Sequence, residues 1–240
     1  MANELLVVPA RRHASLYLTT YSGRVTVLAE EREDVVFESG VESASDVKQD
    51  ASGRIVVTSA KGGMASLRVR CPAGIDIVVG TSAGRVELRG RLGDVRVTTS
   101  SGRIEVDEAQ TLDLRSVSGS IVVTQCGGRC RLHTKSGKAT IGLAEDAEVS
   151  TVSGQVRLAS CCGRIQVRTA SGSVEVGAEG GGDLAIDTLS GPVMVGVPKG
   201  VRPATNLRST KGRIQCDCPT GRDCRITVSS VSGEVQVVPS

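Results

Sequence analysis

Three classes of side chain in this 240-residue sequence could do chemistry: hydroxyls, thiols and carboxylates. The hydroxyls are the most ordered. Thr81, Thr99, Ser116, Thr134, Thr151, Thr169, Thr188, Ser209 and Ser230 each stand three residues before a glycine. A hydroxyl nucleophile needs a base within hydrogen-bond reach. The only histidines are His13, in a basic stretch with Arg11 and Arg12, and His133, on a position expected to face outward. The column therefore reads as turn chemistry, a ladder of hydroxyls at an inner corner. The eight cysteines divide differently. Cys130 and Cys216 fall on positions expected to be inward and apolar, and Cys126, Cys161 and Cys162 fall at a turn. Cys216, Cys218 and Cys224 form C-x-C-x5-C beside Asp217 and Asp223, a spacing unlike that of a zinc finger and without a nearby histidine. Reduced thiols, no metal and no cofactor are expected. Polysaccharide cleavage needs two carboxylates held at a set separation, and the acidic residues here are scattered over outward positions. The one G-x-S-x-G match, Gly80-Thr81-Ser82-Ala83-Gly84, ends on a glycine of the repeat described below, and no P-loop, G-x-G-x-x-G or H-E-x-x-H sequence occurs. The reading is no enzyme and no catalytic residue, with a carbohydrate-active or carbohydrate-binding protein as the alternative.

What positions the hydroxyls is a repeat. Its anchors are Gly84, Gly102, Gly119, Gly137, Gly154, Gly172, Gly191, Gly212 and Gly233, the earlier ones 17 or 18 residues apart and the last two gaps 21. Two and four residues after each glycine stand apolar residues such as Val86 and Leu88, or Ile104 and Val106. Seven and five before it stand pairs such as Ile77 and Val79, or Leu112 and Leu114. Alternation places one face of a strand inward and one outward. Recurrence of the same offsets predicts strands stacked in parallel about 4.8 Å apart. A period of this size marks a solenoid. The expected fold is all-β: a parallel β-solenoid (β-helix-like) of about nine two-strand coils, each roughly 18 residues.

The expected organisation is a tail over 1–10, a β-rich N-terminal cap section over 11–74 and continuous repeats over 75–240. Within the cap, Leu16 to Val27 already matches the repeat, whereas Asp46 and Lys48 stand where an apolar strand should precede Ser52-Gly53. Nothing follows the last strand, Glu234–Val238, except Pro239 and Ser240. That strand is expected to present a bare edge, and Val235 and Val237 are its expected self-association residues, giving a homodimer.

Composition narrows the partners. The aromatics are Tyr17, Tyr21 and Phe37, so the repeat has no base-stacking platform. A net charge of +3, interspersed along the chain, announces neither nucleic acid nor membrane insertion. The start, MANELLVVPARRH, lacks the order of a leader, and no stretch approaches a membrane span. A cytoplasmic location is the expectation. Candidate partner-binding residues form two sets. Val117, Val152, Leu189 and Val231 stand two before their glycines, at a corner. Lys199, Arg202, Arg222 and Arg225 sit in two insertions, 196–204 and 217–225, that should emerge on one side.

The units TSSGRIEV, SVSGSIVV, TVSGQVRL, TASGSVEV and SVSGEVQV resemble those of the bacterial putative-adhesin family of β-strand-repeat proteins, over about residues 14–238. The lead-in CPAGIDIVVGTSAG and the early SLYLTTYSGRVTV fit it too. The resemblance implies a parallel β-solenoid and no catalytic motif. The functional expectation is a non-enzymatic scaffold or protein-interaction module, or a cell-surface adhesin if the chain is exported. Ice or mineral binding by the hydroxyl column is disfavoured, because that column faces inward.

Overall fold

The computed structural model describes residues 6–10, 14–41, 46–58, 66–179 and 181–240. Among them there is no α-helix. The chain divides into two compact units, residues 1–122 and 123–240.

The first unit contains β1 (Leu6–Pro9), β2 (Ser15–Glu30), β3 (Asp34–Ser39), β4 (Val47–Gln49), β5 (Arg54–Thr58), β6 (Leu67–Pro72), β7 (Asp76–Ser101) and β8 (Ile104–Ser118). The strands β2, β7 and β8 run round corners and stack in parallel with their apolar offsets aligned. Leu16 lies opposite Ile77, Val25 opposite Val86, Val86 opposite Ile104, and Val97 opposite Leu114. All seven are buried. Each rung thus covers the apolar face of the next, which no rung could bury alone. A further inward position, absent from the sequence reading, lies at the second corner: Leu92 and Ala109 here, and Cys126, Ala144, Cys161 and Ala178 in the second unit.

The stack in this unit is closed by a segment that folds back. The expected cap covered 11–74, but residues 15–30 are an ordinary rung in register with β7. The covering comes from later residues. Here β5 pairs in parallel with the first half of β2 and β6 with its second half. Antiparallel strands follow: β3 on β6, β1 on β3, and β4 on β5. Val35, Val36 and Phe37 are buried under this cover. Residues 6–9, expected in a tail, are β1; residues 1–5 lie outside the described residues. Polar Lys48 is explained by the same geometry. Its strand is the edge of a hairpin, turned by Asp50, whose carboxylate accepts the amides of Ser52 (2.9 Å) and Arg54 (3.0 Å). The Ser52 hydroxyl and these amides hold the Asp50 carboxyl below its ordinary pKa.

The second unit contains β9 (Ile121–Ser171, starting at the boundary), β10 (Val174–Ala178), β11 (Asp183–Ser190), β12 (Val193–Val197), β13 (Pro203–Ser209), β14 (Ile214–Cys216), β15 (Cys224–Ser230) and β16 (Val235–Pro239). Strands β10 to β16 pair in parallel with their neighbours, but spatial order departs from chain order. Strand β15 pairs with both β11 and β13, and β16 with both β12 and β14. The last coil of the sequence is inserted between two earlier ones, and β13–β14 forms the end rung. The glycine column records the same order. A side chain on Gly233 would strike the carbonyl of Gly191, and one on Gly212 the carbonyl of Gly233. Composition gives the physical reason. The coil 203–216 places Thr205 and Cys216 on inward columns, whereas the last coil places Ile226, Val228, Val235 and Val237 there. The more apolar coil is covered on both sides, and the more polar one carries the open face.

The glycine column also shows why glycine recurs. Gly102, Gly119, Gly172 and Gly233 each lie against the carbonyl of the glycine one rung away, leaving no space for a Cβ. Close backbone approach is the common cause; a left-handed φ is added at Gly102 and Gly191.

Candidate interaction surfaces

The hydroxyl column faces inward as expected: Thr99, Ser116, Thr134, Thr151, Thr169, Thr188 and Ser230 are buried. It is less a ladder along the stack than a set of local bonds. Thr20 Oγ1 does bond Thr81 Oγ1 across rungs at 3.2 Å. Thr99 and Thr188 instead donate to carbonyls two residues on, and Ser230 Oγ accepts the Gly233 amide at 2.8 Å. Among the described residues none of these hydroxyls meets a histidine. His133 is exposed, and His13 lies outside the described residues.

The first corner turns its other side chains outward. Val117 is 46% exposed, Val152 54%, Leu189 59% and Val231 44%. The geometry follows from parity: the hydroxyl three before the glycine points in, so the next residue points out. Tyr21 occupies the same offset and is 72% exposed, a member the sequence reading missed although its spacing from Gly23 shows it. In the second unit the rung order makes neighbours of distant residues. Leu189 lies beside Ala170, and its carbonyl accepts the Ser232 amide, next to Val231, at 3.0 Å. Val152, Ala170, Leu189 and Val231 therefore mark four successive rungs, an apolar strip about 15 Å long.

The two insertions of the second unit are zipped together. The Arg202 amide donates to Asp223 Oδ2 at 2.8 Å, the Asp223 amide to the Arg202 carbonyl at 3.0 Å, and the Gly221 amide to the Pro203 carbonyl at 3.0 Å. Beside them opens a cleft of about 770 Å³ lined by Arg164, Arg222, Arg225, Asp183 and Asp223 among others. Asp183 sits in register between Arg164 and Arg225 on adjacent rungs. Arg222 and Arg225 thus come together, joined by Arg164, which no local motif singled out. Arg202 joins them only through the backbone, and Lys199 stands apart on a turn closed by the Val201 amide on the Pro198 carbonyl. No ion pair is formed by Arg164, Arg222 or Arg225 among the described residues.

The expected self-association edge is corrected by the rung order. Val235 and Val237 are fully buried, and their strand is paired on both sides, so they offer no edge. The bare strands are β13 and β14, where Ile214 is 41% exposed. Cys216, expected to be inward core, is exposed there for the same reason. Among the described residues no three His, Cys, Asp or Glu side chains are grouped as metal ligands. Cys224 is buried and Cys216 exposed. Burial pushes the Cys71 thiol up to about 12, and burial aided by Cys162 and Glu179 does the same for Cys161. A hydrogen bond with Cys126, together with burial, raises the Cys130 thiol strongly. These thiols are poor nucleophiles near neutrality.

Outside the corner the outward columns hold ions of both signs. Arg96 pairs with Asp113 at 3.4 Å and Arg131 with Glu148 at 3.5 Å, each across neighbouring rungs. In the first unit Arg85 lies 2.7 Å from Glu87 and 3.0 Å from Glu105.

The family model described as Toastrack DUF4097 matches residues 6–238. No curated protein matches the chain. Matches to solved structures include a putative adhesin from Bacteroides fragilis, a putative adhesin from Parabacteroides merdae and a putative cell adhesion protein from Clostridium sporogenes. The first is 10% identical, covers 99% of this chain and 97% of its own, and has a TM-score of 0.47. The second is 10% identical over 98% and 95%, with a TM-score of 0.37. The third is 9% identical over 99% and 99%, with a TM-score of 0.26. With nearly the whole length matched by the family model, the chain belongs to the Toastrack DUF4097 family.

Proposed function

We propose that this Toastrack domain is a non-enzymatic interaction module, a parallel β-solenoid scaffold whose coils of about 18 residues present a fixed corner surface to a protein partner. The observation that carries the reading is the outward column. Large apolar side chains recur at one offset, and they stay exposed while the alternate residues are buried. A run of apolar side chains kept in water marks a contact surface. Val152, Leu189 and Val231 would supply the apolar contact, with the serines beside them as its polar rim. Adhesion to a surface partner is one form this function could take.

The test is a variant carrying Val152→Lys, Leu189→Lys and Val231→Lys. These side chains are exposed, so its melting temperature should stay within a few degrees of the parent. Cross-linking in the source cell should give reproducible partners for the parent and lose them for the variant. Equal partners for both proteins would remove the corner from the account.

A further inference from the structure

We propose that the end rung of the second unit, β13 and β14, is a docking edge for an extended acidic segment of a partner protein, which adds to it as one more strand. The inference concerns a surface different from the corner strip. Three observations lead to it. Among the described residues, β13 pairs only with β15 and β14 only with β16. The outer side of this rung therefore carries unpaired backbone amides and carbonyls, the template for strand addition.

The inward columns are also unfinished here. Val193 and Val235 are buried, while Ile214, next in the same column, is 41% exposed. Leu207 is half-buried beside buried Val228. An incoming strand with apolar residues at alternate positions would complete both columns.

Charge selects the occupant. Residues 199–225 hold seven Lys and Arg against two Asp, more positive charge than the whole chain carries in balance at +3. On the rung itself Arg208, Lys211 and Arg213 are exposed and form no ion pair among the described residues. The equivalent Gly-Arg positions of the first unit, Arg85 and Arg103, both pair with Glu105. A second copy meeting this edge about a two-fold axis would set these three cations against their own copies, and like charges across strands are unfavourable. A strand carrying carboxylates on its outward side would neutralise them. The same cations keep the free edge from pairing with itself.

The experiment uses the full chain and a labelled synthetic peptide of alternating Val and Glu, followed by fluorescence anisotropy. Saturable binding that weakens as salt is raised is expected. Methylating alternate backbone nitrogens of the peptide should abolish it, because strand pairing needs those donors. The variant Arg208→Glu with Arg213→Glu should bind the Val/Glu peptide about tenfold more weakly or worse, and should acquire binding to a Val/Lys peptide. Its circular dichroism should match the parent. The corner variant should bind as the parent does, which separates failure here from failure of the corner reading. Equal binding of the methylated peptide, or of polyglutamate lacking apolar residues, would overturn strand addition in favour of plain polyanion capture. No effect of charge reversal, or a parent dimer by sedimentation that the peptide does not compete with, would overturn the choice of an acidic partner.

Discussion

The two units finish their stacks by opposite means, although both use the same repeat. In the first, the rung β2 is covered by β5 and β6, and antiparallel strands complete the cover. Ion pairs dress the outside: Arg70 with Glu38 at 2.8 Å and Arg32 with Asp34 at 2.7 Å. In the second, the end rung has no covering strand among the described residues, its inward columns are partly polar, and its cations lack acidic partners. A stack of rungs can end by hiding its last rung or by making that rung tolerable to water. The difference teaches that closure is a property of composition as well as of chain length. Buried Phe37 belongs to the closed end, Thr205 and Cys216 to the open one.

The sharpest way to break the comparison is to place one charge on the same column at two rungs. Val235→Asp would bury an unpaired carboxylate between two rungs and should cost about 4 kcal/mol or more, preventing folding in many conditions. Ile214→Asp, on the exposed rung, should cost about 1 kcal/mol or less. Urea melts of the two variants decide it. If the costs were reversed, the last coil of the sequence would be the end rung and the order described here would be wrong.

Next in size is the closed end. Phe37→Ala removes a ring buried under the cap and should destabilise the protein by about 3 kcal/mol. Tyr21→Ala, the exposed aromatic of the same unit, should change stability by under about 0.5 kcal/mol. Equal effects would mean that the cap is not packed on its rung.

A smaller and graded effect comes from the thiols, one in each unit. Burial raises the folded pKa of Cys71 and Cys161 from 9.0 to about 12. Above pH 9 the unfolded chain releases these protons and the folded chain keeps them. Stability from this source is therefore full below pH 9 and falls as pH rises from 9 towards 12. The slope is at most about 1.4 kcal/mol per pH unit for each thiol. Cys71→Ala should lower the slope by one proton, read from denaturant melts across that range. An unchanged slope would place the thiol in water.

The smallest effect tests the outside. Glu105→Gln removes the carboxylate between Arg85 and Arg103 and should cost about 0.5 kcal/mol, shrinking as salt is raised. Arg213→Gln, lacking a partner, should be neutral or slightly stabilising by relieving like-charge repulsion. A larger loss at Arg213 than at Glu105 would erase the contrast between the two ends.

The periodic positions were legible because burial alternates with backbone parity, and parity is written in the residue types. The inward columns around Ile104, Leu114, Val123 and Leu132 follow from that alone, whereas the direction of the corner residues Val152 and Leu189 was open in the sequence and is outward in the structure. The expectation of a bare strand edge at Val235 and Val237 failed because it equated the end of the chain with the end of the stack. The cleft beside Arg222 and Arg225 was half visible: its loops were marked by insertions, but Arg164 enters it only through rung stacking.

The sequence by itself determined strands, parity and register, because a two-residue period admits one assignment of faces and a glycine column admits one alignment of rungs. It did not determine which rung lies against which. Every regular coil offers the next nearly the same apolar columns, so pairing with a neighbour in sequence or with a more distant coil satisfies the same local rules. Only the tertiary structure resolved that choice. It places the fully apolar last coil where both faces are covered, leaves the coil bearing Thr205 and Cys216 at the edge, and ties the exchanged loops through Arg202 and Asp223. The deciding energies are differences between whole coils, and no window of the sequence contains them.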